Sequence, residues 1–400
     1  MKGVAITGLG IISSIGDTVE QNFNALINNH PGISSVDHID TIHRAVIKVG
    51  EIKKSNAALA QQLQLSATHT FSRTAMLGTI AAKQAISDAG IVDINDCRTG
   101  LISASSVGGM DLTEKYYHEF INDPALHTFI DSHYIGDISQ KIADHLGLKG
   151  MVTSISTACS SAANSIMLGA RLIKSNQLDR VIVGGTDALS KFTINGFKTL
   201  MILSDTVNSP FDNDRKGLNL GEAAAFLVLE SDDLVRKRNK QPLAYVTGYG
   251  NANDAFHQTA SSENGNGAYL AITKALRQAQ LEPAQIDYIN IHGTATPNND
   301  LSEGRALIRV FGENSVPDFS STKPFTGHTL AAAAAIEAVF SILAIRNSIV
   351  FPNLNFTTPM REFSLIPQTA LSHKNIEHVL SNSFGFGGNC SALVFSKHSV

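Results

Sequence analysis

Residues Val4–Gly10 read VAITGLG, and residues Ala244–Gly250 read AYVTGYG. Each is a short β-rich run that closes on Gly-x-Gly. The recurrence has company. Ala85–Ile91 (AISDAGI) matches Ala275–Leu281 (ALRQAQL), each the tail of a helix-period pattern. Each then leads, within ten residues, into an apolar strand run: GLISAS in the first half, YINIHG in the second. A looser third match sets SISTACSS, before a small-residue helix, against FSSTKPFTGH, before LAAAAAIEAV. Self-similarity at so long a spacing means duplication of a whole βα domain rather than a solenoid.

Strand-like runs alternate with helix patterns throughout, as in RVIVGGT (Arg180–Thr186), AAFLVLE (Ala224–Glu230) and HVLSNSF (His378–Phe384). Near-continuous apolar strands imply a sheet covered on both faces. The expected architecture is α/β, two similar halves over 1–241 and 242–400, divided near Gln241-Pro242. The layers run helix, sheet, helix, sheet, helix. The central helices are the small-residue ones, Ser160–Lys174 and Thr329–Ile345.

With 400 residues, 43% hydrophobic and 16% charged, the chain has an ordinary soluble composition. A formal charge of -4 argues against a nucleic-acid binder, whose affinity needs a basic surface. Three scattered cysteines, Cys97, Cys159 and Cys390, build neither a disulfide framework nor a zinc cluster, which fits a reducing cytoplasm. The opening MKGVAITGLGIISSIG has one lysine and glycines inside its apolar run, and reads as a strand and turn rather than a leader. LAAAAAIEAVFSILAI carries Glu337 and much alanine, so a buried helix fits it better than a membrane span.

Four stretches carry chemistry. VTSIST leads into Cys159, and a helix pattern begins just after it. Near a helix N-terminus, unpaired N–H groups and the macrodipole favour a thiolate, the nucleophilic form. A buried thiol in a tight helix crossing fits this stretch alone slightly better. In INIHGTATPNND an apolar strand delivers His292 at its end, and ligands bind outside the carboxyl ends of strands in α/β sheets. In SSTKPFTGHTLAAAAAIE, Lys323, His328 and Glu337 stand among small or apolar residues, so a buried Lys323 and Glu337 have to pair. In NSFGFGGNC glycines bracket Phe386, a pattern for a mobile aromatic gate or for a strand-end turn with a packed ring. GLGIIS lacks the third glycine of a dinucleotide fingerprint, and no P-loop or metal-ligand cluster occurs.

Taken in order, TACSS, HGTATPNND, STKPFTGH and NSFGFGG resemble the elongating β-ketoacyl-acyl-carrier-protein synthases, condensing enzymes of type II fatty acid and polyketide synthesis. The resemblance runs from VAITGLG to the C-terminus. It implies a thiolase-like five-layered α-β-α-β-α fold and a dimer. It implies Cys159 as acyl acceptor, His292 and His328 as a histidine pair, Lys323 as the active-site lysine and Glu337 as its partner. Backbone N–H groups of Cys159 and Phe386 would hold the oxyanion, and Thr294 and Thr296 the pantetheine arm. Gly385, Phe386, Gly387 and Gly388 would form one gating loop, Asp254 and His257 part of a second. Val107 would sit at the chain-length position of the acyl pocket. No metal or cofactor is implied, since substrates ride on the phosphopantetheine of acyl carrier protein.

The chain departs from the family pattern in places. Ala331 and Ala334 stand where glycines are usual, Ser209 where an arginine is, and the last loop reads GGNC rather than GGTN. In QLSATHTFSR, where a basic carrier-docking patch is expected, Arg73 is the only fixed positive charge. These changes suit a specialised polyene or polyketide synthase, working with a chain-length-factor partner in a heterodimer, as well as a fatty acid synthase working as a homodimer. A non-catalytic partner subunit is a further alternative, opposed by retention of Cys159, His292, Lys323 and His328. A thiolase would need a second catalytic cysteine, which Cys390 in its Ser-Ala-Leu context does not supply. A cysteine hydrolase would use Cys159 and a histidine with water as acceptor; the paired histidines and the lysine suit decarboxylative condensation better.

Overall fold

The computed structural model describes residues 3–399. The first half supplies strands β1 (Val4–Ser13), β2 (Thr99–Ala104), β3 (Met151–Ile155), β4 (Arg180–Asp187) and β5 (Ala223–Ser231). The second supplies β6 (Ala244–Asn253), β7 (Tyr288–Asn290), β8 (Asp318–Ser320), the two-residue β9 (Ile349–Val350) and β10 (Ser372–His373), then β11 (His378–Phe384) and β12 (Asn389–Ser396). The helices that build the layers and the site are α1 (Arg73–Asp88), α2 (Ile135–Leu146), α3 (Ser161–Lys174), α4 (Lys191–Thr199), α5 (Asn266–Ala279), α6 (Pro297–Phe311) and α7 (Ala333–Asn347).

The strand order is β3-β2-β4-β5-β1-β6-β12-β11-β7-β8. From the centre outward, one arm runs β1, β5, β4, β2, β3 and the other β6, β12, β11, β7, β8. The pairing repeats as well: the two inner pairs of each arm are antiparallel and the two outer pairs parallel. The arms pair with each other at Ala5↔Tyr245 and Ile6↔Ala244. This is the duplication that the repeated Gly-x-Gly announced.

Those glycines do the same work twice. A Cβ on Gly8 or Gly10 would lie 2.2 or 2.0 Å from the carbonyl oxygens of Ala85 and Ala81. A Cβ on Gly248 or Gly250 would lie 2.3 or 2.1 Å from those of Ala275 and Ala271. Helix α1 therefore rests directly on β1, and α5 on β6, with no side-chain layer between the backbones.

Three apolar clusters give five layers. One, containing Met76, Leu77 and Ile142, lies between α1, α2 and the outer face of the first arm. A second, containing Ile166, Met167, Val339 and Phe340, surrounds α3 and α7 between the arms. The third, with Ile272 and Leu307, lies under α5 and α6. Every position from Ala333 to Ile345 of α7 is buried, so the segment Leu330–Asn347, apolar enough to cross a membrane, is 89% buried within the fold. Two expectations shift. β3 is an edge strand, exposed or half-buried along its length, because nothing lies beyond it among the described residues. A one-turn 3-10 segment, Leu330–Ala332, separates His328 from α7.

Candidate active site

The loops after β3, β7, β8 and β11 converge. β3 runs into a tight turn at Thr157–Cys159, with Ala158 in the left-handed region at φ 52°. That conformation costs a non-glycine residue about 1–2 kcal/mol, and local hydrogen bonds hold it. Ser161 Oγ accepts from the Thr157 N–H at 2.8 Å and donates to the Ala158 carbonyl at 2.5 Å. Cys159 emerges from this turn 6% exposed, just ahead of α3.

His292 lies two residues beyond the end of β7, and His328 on the loop between β8 and α7. Their rings meet edge to face at 5.4 Å and 87°. The Cys159 sulfur and one nitrogen from each ring lie within 4.8 Å of one another. Lys323 anchors the group from behind. Its ammonium donates to Glu337 Oε1 at 2.5 Å, to His292 Nδ1 at 3.3 Å and to the His292 carbonyl oxygen. An ammonium has three protons, and all three are used. Pairing makes the burial of Lys323 and Glu337 tolerable.

These contacts assign the tautomers. Lysine can only donate, so His292 Nδ1 is an acceptor and the proton sits on Nε2. His328 Nδ1 accepts from the Leu330 N–H at 3.0 Å, so its proton also sits on Nε2. Burial, reinforced by the Lys323 charge, holds His292 well below the usual imidazole range and pushes His328 down to about 3. Both rings are neutral and both present an N–H. Cys159, His292 and His328 bring three ligand atoms together, and with each Nδ1 accepting a hydrogen bond the Nε2 atoms carry the protons.

Of the two readings that the sequence leaves open for Cys159, burial favours the thiol. Burial pushes the Cys159 thiol up to about 11, against the opposing influence of Lys323 and of the Phe386 and Cys159 backbone N–H groups. A helix terminus is worth roughly 0.3–2 kcal/mol, which is less than complete desolvation of the sulfur removes. The resting group is a thiol. Labelling of Cys159 by iodoacetamide, followed on its own peptide by mass spectrometry, is accordingly expected to accelerate about tenfold per pH unit above neutrality and level off only near pH 11. A plateau reached by pH 7 would show a thiolate ground state instead.

The three side chains close one end of a cavity of about 320 Å³. Thr294, Thr296, Ser261 and Asn298 give it a polar wall, and Phe197, Leu200, Met201 and Ile202 an apolar one. Thr294 and Thr296 are hydrogen-bonded to each other at 2.8 Å. The Gly385–Gly388 loop covers the sulfur, and the Phe386 ring stacks on Phe197 at 5.9 Å. It is tied to the 254–258 segment by Asp254 N–H to Gly388 O at 2.8 Å and Gly387 N–H to Gln258 O at 2.7 Å. The Asp254 carboxylate is engaged by Ser262 and the Gly267 N–H, whereas His257 is exposed.

Two residues fall elsewhere. Val107 does not line this cavity. It is half-buried on an apolar cluster that includes Leu189, Ile194 and Leu218, and Leu218 also faces the cavity. Arg73 is no docking charge: it is 6% exposed and forms a bidentate pair with Glu222 at 2.6 and 2.9 Å. A single arginine flanked by Ser and Thr carried no signal of that distant carboxylate. Glu303 went unnoticed in the sequence. Its carboxyl, pushed up to about 7 by burial, accepts from the His292 and Gly293 N–H groups and holds that loop in place. A glutamate two turns into a mixed-polarity helix looks like any surface residue.

The N-terminal domain model of the β-ketoacyl synthases matches residues 1–234, and the C-terminal domain model residues 243–357. The chain belongs to the β-ketoacyl synthase family. This ketosynthase is 32% identical to 3-oxoacyl-[acyl-carrier-protein] synthase 2 of Vibrio cholerae, over 99% of each chain. It is 35% identical to the protein of that name from Coxiella burnetii, again over 99% of each. In structure it is similar to the ishigamide ketosynthase/chain length factor, with TM-score 0.93, 29% identity and full coverage of both chains. A ketosynthase in complex with its chain length factor from Xenorhabdus doucetiae gives TM-score 0.85 and 30% identity over 99% and 98% of the chains. The fold is thus the thiolase-like one of these ketosynthases.

Proposed function

We propose that this ketosynthase joins an acyl group carried on Cys159 to malonyl-acyl-carrier protein, releasing CO2 and 3-oxoacyl-acyl-carrier protein, in fatty acid biosynthesis. The observation that carries the reading is the pair of neutral Nε2–H donors facing a buried thiol. Cys159, once deprotonated, attacks the acyl thioester; the carrier leaves as its thiol and the acyl group stays on sulfur. The N–H groups of Cys159 and Phe386, which interact with that sulfur, stabilise the oxyanion in this reading. Malonyl-carrier then threads its arm past Thr294 and Thr296. Its C–CO2 bond breaks, and the electron pair moves onto the thioester oxygen as an enolate. The His292 and His328 donors stabilise it by roughly 2.7–4 kcal/mol each, the range for a donor aimed at developing charge. The enolate carbon attacks the acyl-Cys159 carbonyl, and sulfur departs. Side chains and backbone supply the catalysis, with the substrates delivered on phosphopantetheine.

A second reading is favoured by two of the similar structures, both of ketosynthase and chain-length-factor assemblies. In it the same chemistry serves a polyene or polyketide pathway, and the dimer is heteromeric rather than homomeric. Intact-protein mass tests both. Wild-type protein incubated with acyl-carrier thioesters of graded length gains an acyl adduct, which malonyl-carrier discharges as 3-oxoacyl product. Loading that is complete without a second subunit supports the fatty acid reading. Loading that needs a co-expressed chain-length factor supports the polyketide one. No adduct under either condition removes both.

A further inference from the structure

We infer that Asn389 is a positioning residue: its side-chain carbonyl latches the loop bearing the Phe386 N–H to the turn bearing Cys159. The inference rests on the acyl-transfer reading above and deepens it.

Asn389 stands directly after the glycine loop, where β12 begins. Its backbone carbonyl accepts from the Gly385 N–H at 2.8 Å, which closes the loop into a ring. Its side-chain oxygen accepts from Asn164 Nδ2 at 3.0 Å and Asn251 Nδ2 at 2.9 Å, and lies 2.8 Å from Ser160 Oγ, whose single proton it shares with the Thr157 carbonyl oxygen at 2.7 Å. Ser160 is the residue after the nucleophile, Asn164 lies in the first turn of α3, and Asn251 lies on β6. Asn164 spends its other amide proton on Thr157 Oγ1 at 2.8 Å, so the turn before Cys159 is caught as well. The Asn251 amide also lies 3.0 Å from Asn164 Oδ1 and from Ser391 Oγ, so its two protons are shared among three acceptors.

One acceptor thus joins the three segments that set the oxyanion geometry. On the near side, a Cβ on Gly385 would lie 2.7 Å from the Thr157 carbonyl oxygen and 3.3 Å from the Cys159 nitrogen, so loop and turn are in backbone contact. Backbone contact sets how closely they approach. The Asn389 oxygen sets their lateral registry, and with it whether the two N–H groups point at one spot. A 1 Å misplacement of such a constellation costs on the order of 10²-fold in rate. The same latch is compatible with opening: only Gly387 and Gly388 of the loop have positive φ, and Asn389 is the first residue after them.

The test exploits two reactions of one sulfur. Acylation by an acyl-carrier thioester builds an oxyanion and needs both N–H donors. Alkylation by iodoacetamide is a displacement at carbon and builds none. Asn389→Ala is expected to slow acylation of Cys159 by roughly 10–10²-fold, below the 10²–10³-fold of losing a donor outright, while the alkylation rate, read on its high-pH plateau where the thiol is fully ionised, stays within about twofold. Asn389→Asp, which keeps an acceptor oxygen, recovers most of the acylation rate. Acylation of the alanine variant at the wild-type rate overturns the inference and leaves the acyl-transfer reading intact. A parallel fall in acylation and alkylation also overturns it, because it marks a general disturbance of the site. Wild-type protein that alkylates but accepts no acyl group from any carrier thioester brings down both readings together.

Discussion

Cys159→Ala is expected to lower condensation by as much as roughly 10⁶-fold, the scale on which losing the nucleophile of a covalent mechanism acts, with no acyl adduct at any chain length. The substitution removes one buried sulfur and leaves the tautomer-locked donors in place, because neither Lys323 nor the Leu330 N–H depends on the thiol. Malonyl-carrier decarboxylation is therefore expected to persist in the variant, uncoupled from product. CO2 release and 3-oxoacyl product, measured in parallel on the same sample, check this. Loss of both activities in a folded variant would mean that the histidines do not act as an independent enolate site. Residual condensation would mean that Cys159 is not the acyl acceptor.

Lys323→Ala carries the largest expected cost in stability. It removes the cation paired with a buried carboxylate, and Glu337 is left among alanine, isoleucine and valine with the Ser383 hydroxyl 3.5 Å away. Breaking one side of a buried pair costs about 3–5 kcal/mol, readable as a fall in the denaturant midpoint. Activity falls for a second reason. Without the ammonium, nothing holds the His292 proton on Nε2, and the donor facing the enolate is lost for part of the population. The double variant Lys323→Met/Glu337→Leu separates these effects. Replacing both charges by apolar groups of similar volume restores most of the stability, while condensation stays low. Stability that does not return would mean the pair organises the fold around α7. Activity that does return would remove the tautomer argument.

Much of this protein was legible one residue at a time. VAITGLG and AYVTGYG announced the duplication because close packing of a helix on a strand leaves only glycine possible, and that demand is local. Cys159 before a helix, His292 past a strand and Lys323 with Glu337 were readable for a similar reason: strand ends and buried ionisable groups constrain their immediate neighbours. What tertiary structure alone decided are properties that depend on distant partners. Cys159 is a thiol because desolvation, a property of everything packed around it, outweighs the helix terminus beside it. The histidines are donors because Lys323 and the Leu330 N–H occupy their other nitrogens. Arg73 faces inward because Glu222, far along the chain, lies across from it. Asn389 matters because Ser160 and Asn164 at the start of α3 and Asn251 on β6 arrive from two other elements. Local geometry is written in adjacent residues, whereas protonation state and registry are set by contacts that exist only once the chain has folded.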